Sequence, residues 1–136
     1  MNFKEFLVEM ATKLVDFENS GRRISIHIRT GNKHQKGIQP GQSEHYPAHI
    51  HVINFKDKLD IPIEIETGKV LSDKHHIQGK LSKIEKDDIK WFIEYYGKEE
   101  LKQIFDKAIN GIDPSPLFDV LRKRKDNEHK NKNNQT

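Results

Sequence analysis

Three short segments alternate apolar and polar residues, and this alternation constrains the fold more than any other feature of the chain. The segments are residues 24–30, 49–55 and 59–66. In a β-strand, side chains two positions apart share a face. Each segment can therefore bury its row of apolar side chains and expose its row of polar side chains. In the first segment we expect Ile24, Ile26 and Ile28 to be buried in a half-buried strand. The pattern predicts a small antiparallel sheet.

Segments with helical spacing of apolar residues flank these strands. The spacing predicts an amphipathic helix over residues 3–17, a second ending at Tyr96, a third over 98–109 and a short last helix up to Leu121. Ser82 and Glu85 have the spacing of a capping box, which marks where the second helix begins. Val70 and Leu71 allow a short fourth strand. The order predicts an α+β fold, with a small antiparallel three- to four-stranded sheet, an N-terminal helix, and C-terminal helices packed on one face.

The positive charge of the chain is concentrated at its end. The net charge is +3, but residues 122–136 hold six Lys and Arg against Asp126 and Glu128, so this segment carries +4 and residues 1–121 carry −1. From Lys125 onward there is no aliphatic residue to bury. We therefore expect one domain over 1–121 and a disordered basic tail over 122–136.

The composition excludes several classes of site. The chain has no cysteine, which excludes disulfides, cysteine zinc sites and thiol nucleophiles. It has no apolar run long enough for a membrane-spanning helix, and charged residues interrupt the first ten positions. We expect a cytoplasmic protein that does not bind membranes, and the sequence does not indicate its oligomeric state.

A cluster of histidines is the main candidate site. His49 and His51 are two residues apart in a predicted strand, so they share a face and could chelate one divalent cation such as Zn²⁺. A complete site needs further ligands, and the candidates are His45, His27, Glu64 and Glu66. A face of hydrogen-bonded histidines with no chemical role fits the pattern equally well.

The pairing of the second and third segments decides whether glutamates can join this cluster. A two-residue turn would place His51 opposite Glu64 and His49 opposite Glu66, whereas a three-residue loop would place both histidines opposite isoleucines. A shift of one residue moves every side chain to the other face. We favour the two-residue turn because it keeps the apolar residues of both strands together.

Paired histidines could also work without a metal. His49 and His51 could act as acid and base on a phosphodiester, beside His27 and Arg29. The segment from 19 to 43 contains five cationic residues and no carboxylate. It could hold phosphate or a nucleic-acid backbone through Arg22, Arg23, Lys33 and Lys36, together with Arg29. A solvated basic loop explains the same pattern, so a metal site, a phosphodiesterase or ribonuclease, and a binding surface all stay open.

Two short motifs carry a resemblance. The run Pro47-Ala48-His49-Ile50-His51-Val52, followed by Glu66-Thr67-Gly68-Lys69-Val70-Leu71, resembles a family of small bacterial proteins of unknown function with a Pro-Pro-His-x-His-Val motif. The similarity covers residues 47–105, and Ala48 stands where that family has its second proline. The family occurs in gene pairs of the toxin–antitoxin kind. The resemblance therefore implies a protein partner, a role with RNA or DNA, and a site at His49 and His51.

Overall fold

The computed structural model describes residues 11–19, 21–30, 47–71 and 80–134. Four antiparallel strands form one sheet in the order β1-β2-β3-β4, followed by three helices. The strands are β1 (Ala11–Asn19), β2 (Arg22–Arg29), β3 (His49–Asn54) and β4 (Leu59–Glu64), and the helices are α1 (Lys83–Tyr96), α2 (Lys98–Ile109) and α3 (Pro114–Asn134). The predicted α+β class is confirmed.

The first strand corrects the sequence analysis. Residues 11–19 form β1, so the helix predicted over 3–17 is wrong for residues 11–17, and its beginning lies outside the described residues. The register shifts at a bulge between Lys13 and Val15, and Phe17 then pairs with Ile24. The spacing of Leu14 and Phe17 fits a helical stripe as well as a bulged strand. Pairing with β2 decides between the two, because strand propensity depends on the partner that a segment finds.

The β3–β4 hairpin has the predicted faces but a different register. His49 pairs with Glu64 and His51 with Pro62, so the histidines lie on the glutamate side of β4, as the favoured turn required. Each pairing is two positions away from the predicted one because the connection has four residues, 55–58, instead of two. The side-chain oxygen of Asn54 accepts the backbone N–H of Asp57 at 2.7 Å and stabilises this longer turn.

The apolar core lies between the isoleucine face of the sheet and the helices. Its sheet part contains the isoleucines predicted to be buried, and α1, α2 and α3 contribute Phe92, Phe105 and Phe118, all at most 2% exposed. The predicted capping box is also confirmed. Ser82 Oγ accepts the N–H of Glu85 at 3.2 Å, and the Glu85 carboxylate accepts the N–H of Ser82 at 2.8 Å.

The end of the chain differs from the sequence prediction as well. α3 continues through residues 122–134, which were expected to be disordered, and most of its side chains beyond Leu121 are exposed. Tyr95 of α1 holds this part of α3, since its hydroxyl donates to Asp126 and its ring stacks on His129. Across the described ranges, no helix is long and apolar enough to cross a membrane.

Candidate functional site: the buried polar face and its cationic cavity

The second face of the sheet is polar and buried, which corrects the prediction of half-buried strands. We call it the polar face, and its buried polar residues are Ser25, His27, Arg29, His49, His51 and Asp60. Each of these residues is less than a tenth exposed. Buried polar groups are costly unless they are paired, so the interactions on this face determine what it can do.

Asp60 is the centre of the polar face, although the sequence analysis did not select it. Its Oδ2 accepts a hydrogen bond from the guanidinium of Arg29, and its Oδ1 accepts the Nδ1–H of His51 at 2.9 Å. One carboxylate therefore links β2, β3 and β4. Because a carboxylate oxygen only accepts, Nδ1 of His51 carries the proton that points to Asp60. Asp60 was predictable as a member of the candidate site, because the alternation of residues 59–66 places it on the histidine side of β4.

The other two histidines lie beside His51. His49 donates its Nδ1–H to the carbonyl of Pro47 at 2.9 Å, and its ring centroid lies 5.0 Å from that of His51. His27 pairs with His51 across the strands, and within the described residues neither of its ring nitrogens has a hydrogen-bond partner. Burial, reinforced by the charge of His51, lowers the pKa of His27 to about 4. His27 is therefore neutral at pH 7.

Several predicted site residues lie elsewhere or are engaged differently. Arg29 was a candidate phosphate ligand, but its guanidinium is buried against Asp60 and is 8% exposed. The Glu64 carboxylate accepts the hydroxyl of Thr67 at 2.6 Å. No three His, Asp or Glu side chains in the described ranges are grouped so that they could hold a metal ion. The predictions for His45, Lys33 and Lys36 lie outside the described residues.

Arg22 and Arg23 line a cavity of about 290 Å³ that opens beside the polar face. We call it the cationic cavity; its lining is Gly21, Arg22, Arg23, Ser25, Ile53, Asn54, Phe55, Lys56 and Asp57. In β2, Ser25 lies two residues before His27, and in β3, Ile53 lies two residues after His51. Two residues of a strand span about 7 Å. The cavity therefore adjoins the histidine row directly. The lining contains three cationic side chains and one carboxylate.

Hydrogen bonds and ion pairs fix the walls of the cationic cavity. Asn54 donates its side-chain amide to the carbonyl of Arg23 at 2.6 Å, which ties the β3–β4 turn to β2. Arg22 Nε lies 3.1 Å from the buried carboxylate of Glu85, so Arg22 connects the cavity to the beginning of α1. Arg23 is exposed, and its guanidinium lies 3.4 Å from exposed Glu18. Lys56 is exposed and has no ion pair within the described residues.

Comparisons with protein families, with curated proteins and with solved structures find no match for this chain. The family resemblance of residues 47–105 therefore stays a prediction. The two histidines that carry it, His49 and His51, lie on the polar face, and Gly68 has a φ of 71° in the turn after β4. A positive φ strains residues that have a Cβ, which accounts for a glycine at this turn.

Proposed function

We propose that this protein binds the phosphate backbone of a nucleic acid at the cationic cavity. The observation that carries the proposal is that exposed Arg23 and Lys56 converge on one cavity beside a polar sheet face. Phosphate contacts by Arg and Lys supply most of the non-specific affinity for nucleic acids. The protein partner and the two-gene module implied by the resemblance remain predictions.

The three cations of the cavity have different roles in this proposal. Arg22 is a third exposed at its side chain and is committed to buried Glu85, so it shapes the wall. The ion pair of Arg23 is between exposed groups, and such pairs contribute little. Arg23 can therefore exchange Glu18 for a phosphate at small cost. Lys56 lies across the cavity from β2, in the turn that Asn54 holds in place.

Removing the two exposed cations is expected to weaken binding and its dependence on salt. The double variant Arg23→Gln/Lys56→Gln should lower the affinity for a labelled oligonucleotide. The slope of log K against log salt should fall by about 2, since each lost phosphate contact lowers it by about 1. Fluorescence anisotropy at several salt concentrations measures both quantities.

The matched control removes the same charge elsewhere. Lys98 and Lys107 are exposed on α2, and Lys98→Gln/Lys107→Gln also changes the net charge by −2. In this control, the slope of log K against log salt should stay close to the wild-type slope, because no phosphate contact is lost. Equal slopes and affinities in the two double variants would contradict the proposal, as would a wild-type protein that binds no nucleic acid.

One observation favours a second candidate function, cleavage of a phosphodiester. Asp60 holds Nδ1 of His51, and the Pro47 carbonyl holds Nδ1 of His49, so both rings are oriented as general bases or acids are in enzymes. Both rings are nevertheless buried, at 5% and 6% exposure. Binding is therefore the primary proposal.

The catalytic candidate predicts a large and specific effect of single substitutions. If the protein cleaves RNA, His51→Ala and His49→Ala should each lower the cleavage rate by about 100-fold or more while the far-ultraviolet circular dichroism stays unchanged. Cleavage of a labelled single-stranded RNA measures this rate. A rate that survives both substitutions would exclude paired-histidine catalysis and leave the binding proposal untouched.

A further inference from the structure

Three aromatic rings form a continuous stack on the helical side of the molecule. Trp91 and Tyr95 lie one turn apart on α1, with ring centroids 4.8 Å apart and planes 28° from parallel. Tyr95 stacks in turn on His129 of α3, at 4.3 Å and 11°. We call this set, Trp91, Tyr95 and His129, the aromatic column. It is independent of the residues of the cationic cavity.

The surrounding residues hold the aromatic column in place. Phe17 of β1 meets the Trp91 ring edge-on, with centroids 6.0 Å apart. The Tyr95 hydroxyl donates to Asp126 at 2.5 Å, and this hydrogen bond raises the pKa of Tyr95 to about 12. Tyr95 therefore stays an uncharged phenol at physiological pH. Little side-chain entropy is left to lose when a further ring joins the stack.

The column is open to solvent at both ends of its length. Trp91 is 48% exposed, which is unusual for the largest side chain in a protein of this size. His129 is also exposed, and in the described part of the chain Tyr95 is its only ring contact. The face of the His129 ring that points away from Tyr95 can therefore accept another flat ring and extend the column.

The end of α3, which carries His129, is rich in cationic residues. Residues 122–134 contain six Lys and Arg and two carboxylates, a net charge of +4. Both carboxylates are engaged, since Asp126 accepts from Tyr95 and Glu128 lies within 4 Å of Arg124 and Lys125. Lys130, next to His129, is exposed and has no ion pair within the described residues. The charge complements an anionic polymer.

We propose that the aromatic column binds single-stranded nucleic acid, with an unpaired base stacked on His129 and backbone phosphates beside Lys130. Stacked aromatic rings flanked by cations are the usual means of holding single strands without sequence preference. A duplex keeps its bases stacked on each other and offers none to the column. This surface goes beyond the proposed function, because it shares no residue with the cationic cavity, which is lined by the ends of β2 and β3 and the turns beside them.

The test uses the full chain and a labelled oligouridylate of about 12 nucleotides, followed by fluorescence anisotropy. The oligouridylate should bind, and its duplex with oligoadenylate should bind at least about 10-fold more weakly. His129→Ala should lower the affinity for the single strand by about 10-fold, and His129→Phe should restore it because a flat ring returns.

Two controls separate this proposal from the cationic cavity. Lys107→Gln, an exposed charge change on α2, should leave the affinity for the single strand unchanged. In the Arg23→Gln/Lys56→Gln background, adding His129→Ala should still lower the affinity for the single strand by about 10-fold. The proposal is overturned if the oligouridylate does not bind, if His129→Ala binds as wild type does, or if single strand and duplex bind equally.

Discussion

Single residues on the polar face show how a sheet can bury charge. Arg29 and Asp60 form an ion pair inside the protein, and His51 gives the same carboxylate a second donor. Removing one member of such a buried pair leaves an unpaired charge, which costs about 3–5 kcal/mol. His27 has no comparable partner within the described residues. It is therefore the residue of this face whose ionisation opposes folding.

His27 is expected to make the protein less stable in mild acid. Burial and the neighbouring His51 lower its pKa to about 4, although Asp16 and Asp60 act in the opposite direction. Between pH 6.5 and 4 the unfolded chain therefore binds more protons at this residue than the folded protein does. The stabilisation that comes from keeping His27 neutral is complete above pH 6.5. As the pH falls to 4, the free energy of unfolding decreases by about 3 kcal/mol through this residue.

Urea unfolding at pH 7.5 and pH 4.5 measures this loss. The variant His27→Leu should have a smaller difference in unfolding free energy between the two pH values, by roughly 2–3 kcal/mol, whatever its stability at pH 7.5. Lys107→Gln, at an exposed position on α2, is the control and should keep the wild-type difference. The same pH dependence in His27→Leu and wild type would show that other groups cause the acid sensitivity.

At the scale of elements, local patterns predicted what local interactions determine. Alternation predicted β2, β3 and β4, and the Ser82–Glu85 spacing predicted the cap of α1, because both signals act within a few residues. β1 was not predicted, since its bulge mimics helical spacing and its strand form depends on pairing with β2. The length of α3 was not predicted either. Its distal half buries little, and contacts with Tyr95 of another helix hold it.

The candidate site was predictable in part for the same reason. The alternation rule placed His49 and His51 on one face, and the basic segment indicated Arg22 and Arg23, which line one cavity. The rule did not give the length of the 55–58 turn, so it missed that Lys56 joins these arginines. Nor could it show that the polar face is buried, because that depends on packing between distant parts of the chain.

At the scale of the whole molecule, the two proposed binding surfaces differ in character. The cationic cavity lies at the end of the sheet, beside the β1–β2 and β3–β4 turns, where Asn54, Arg22 and Glu85 fix its walls. The aromatic column lies on the isoleucine side, where Phe17 and α1 support one half and α3 supplies the other. The cavity thus belongs to the rigid sheet, whereas the column depends on how firmly the end of α3 is held.

Local stability is therefore expected to fall sharply along α3. Phe118 and Leu121 pack into the core, whereas residues 122–131 are mostly exposed and are held by Tyr95 and by ion pairs of Arg124 and Lys125 with Glu100 of α2. Amide hydrogens of residues 122–134 should exchange about 100-fold faster than those of β2, β3 and residues 118–121, because exposed segments open at low free energy. Tyr95→Phe keeps the ring and removes the hydrogen bond to Asp126, so it should speed exchange in 126–134 about fivefold while leaving β2 unchanged. Hydrogen exchange followed by mass spectrometry or NMR resolves these segments. Uniform protection from residue 118 to 134, unaffected by Tyr95→Phe, would show that α3 is held along its whole length by other contacts.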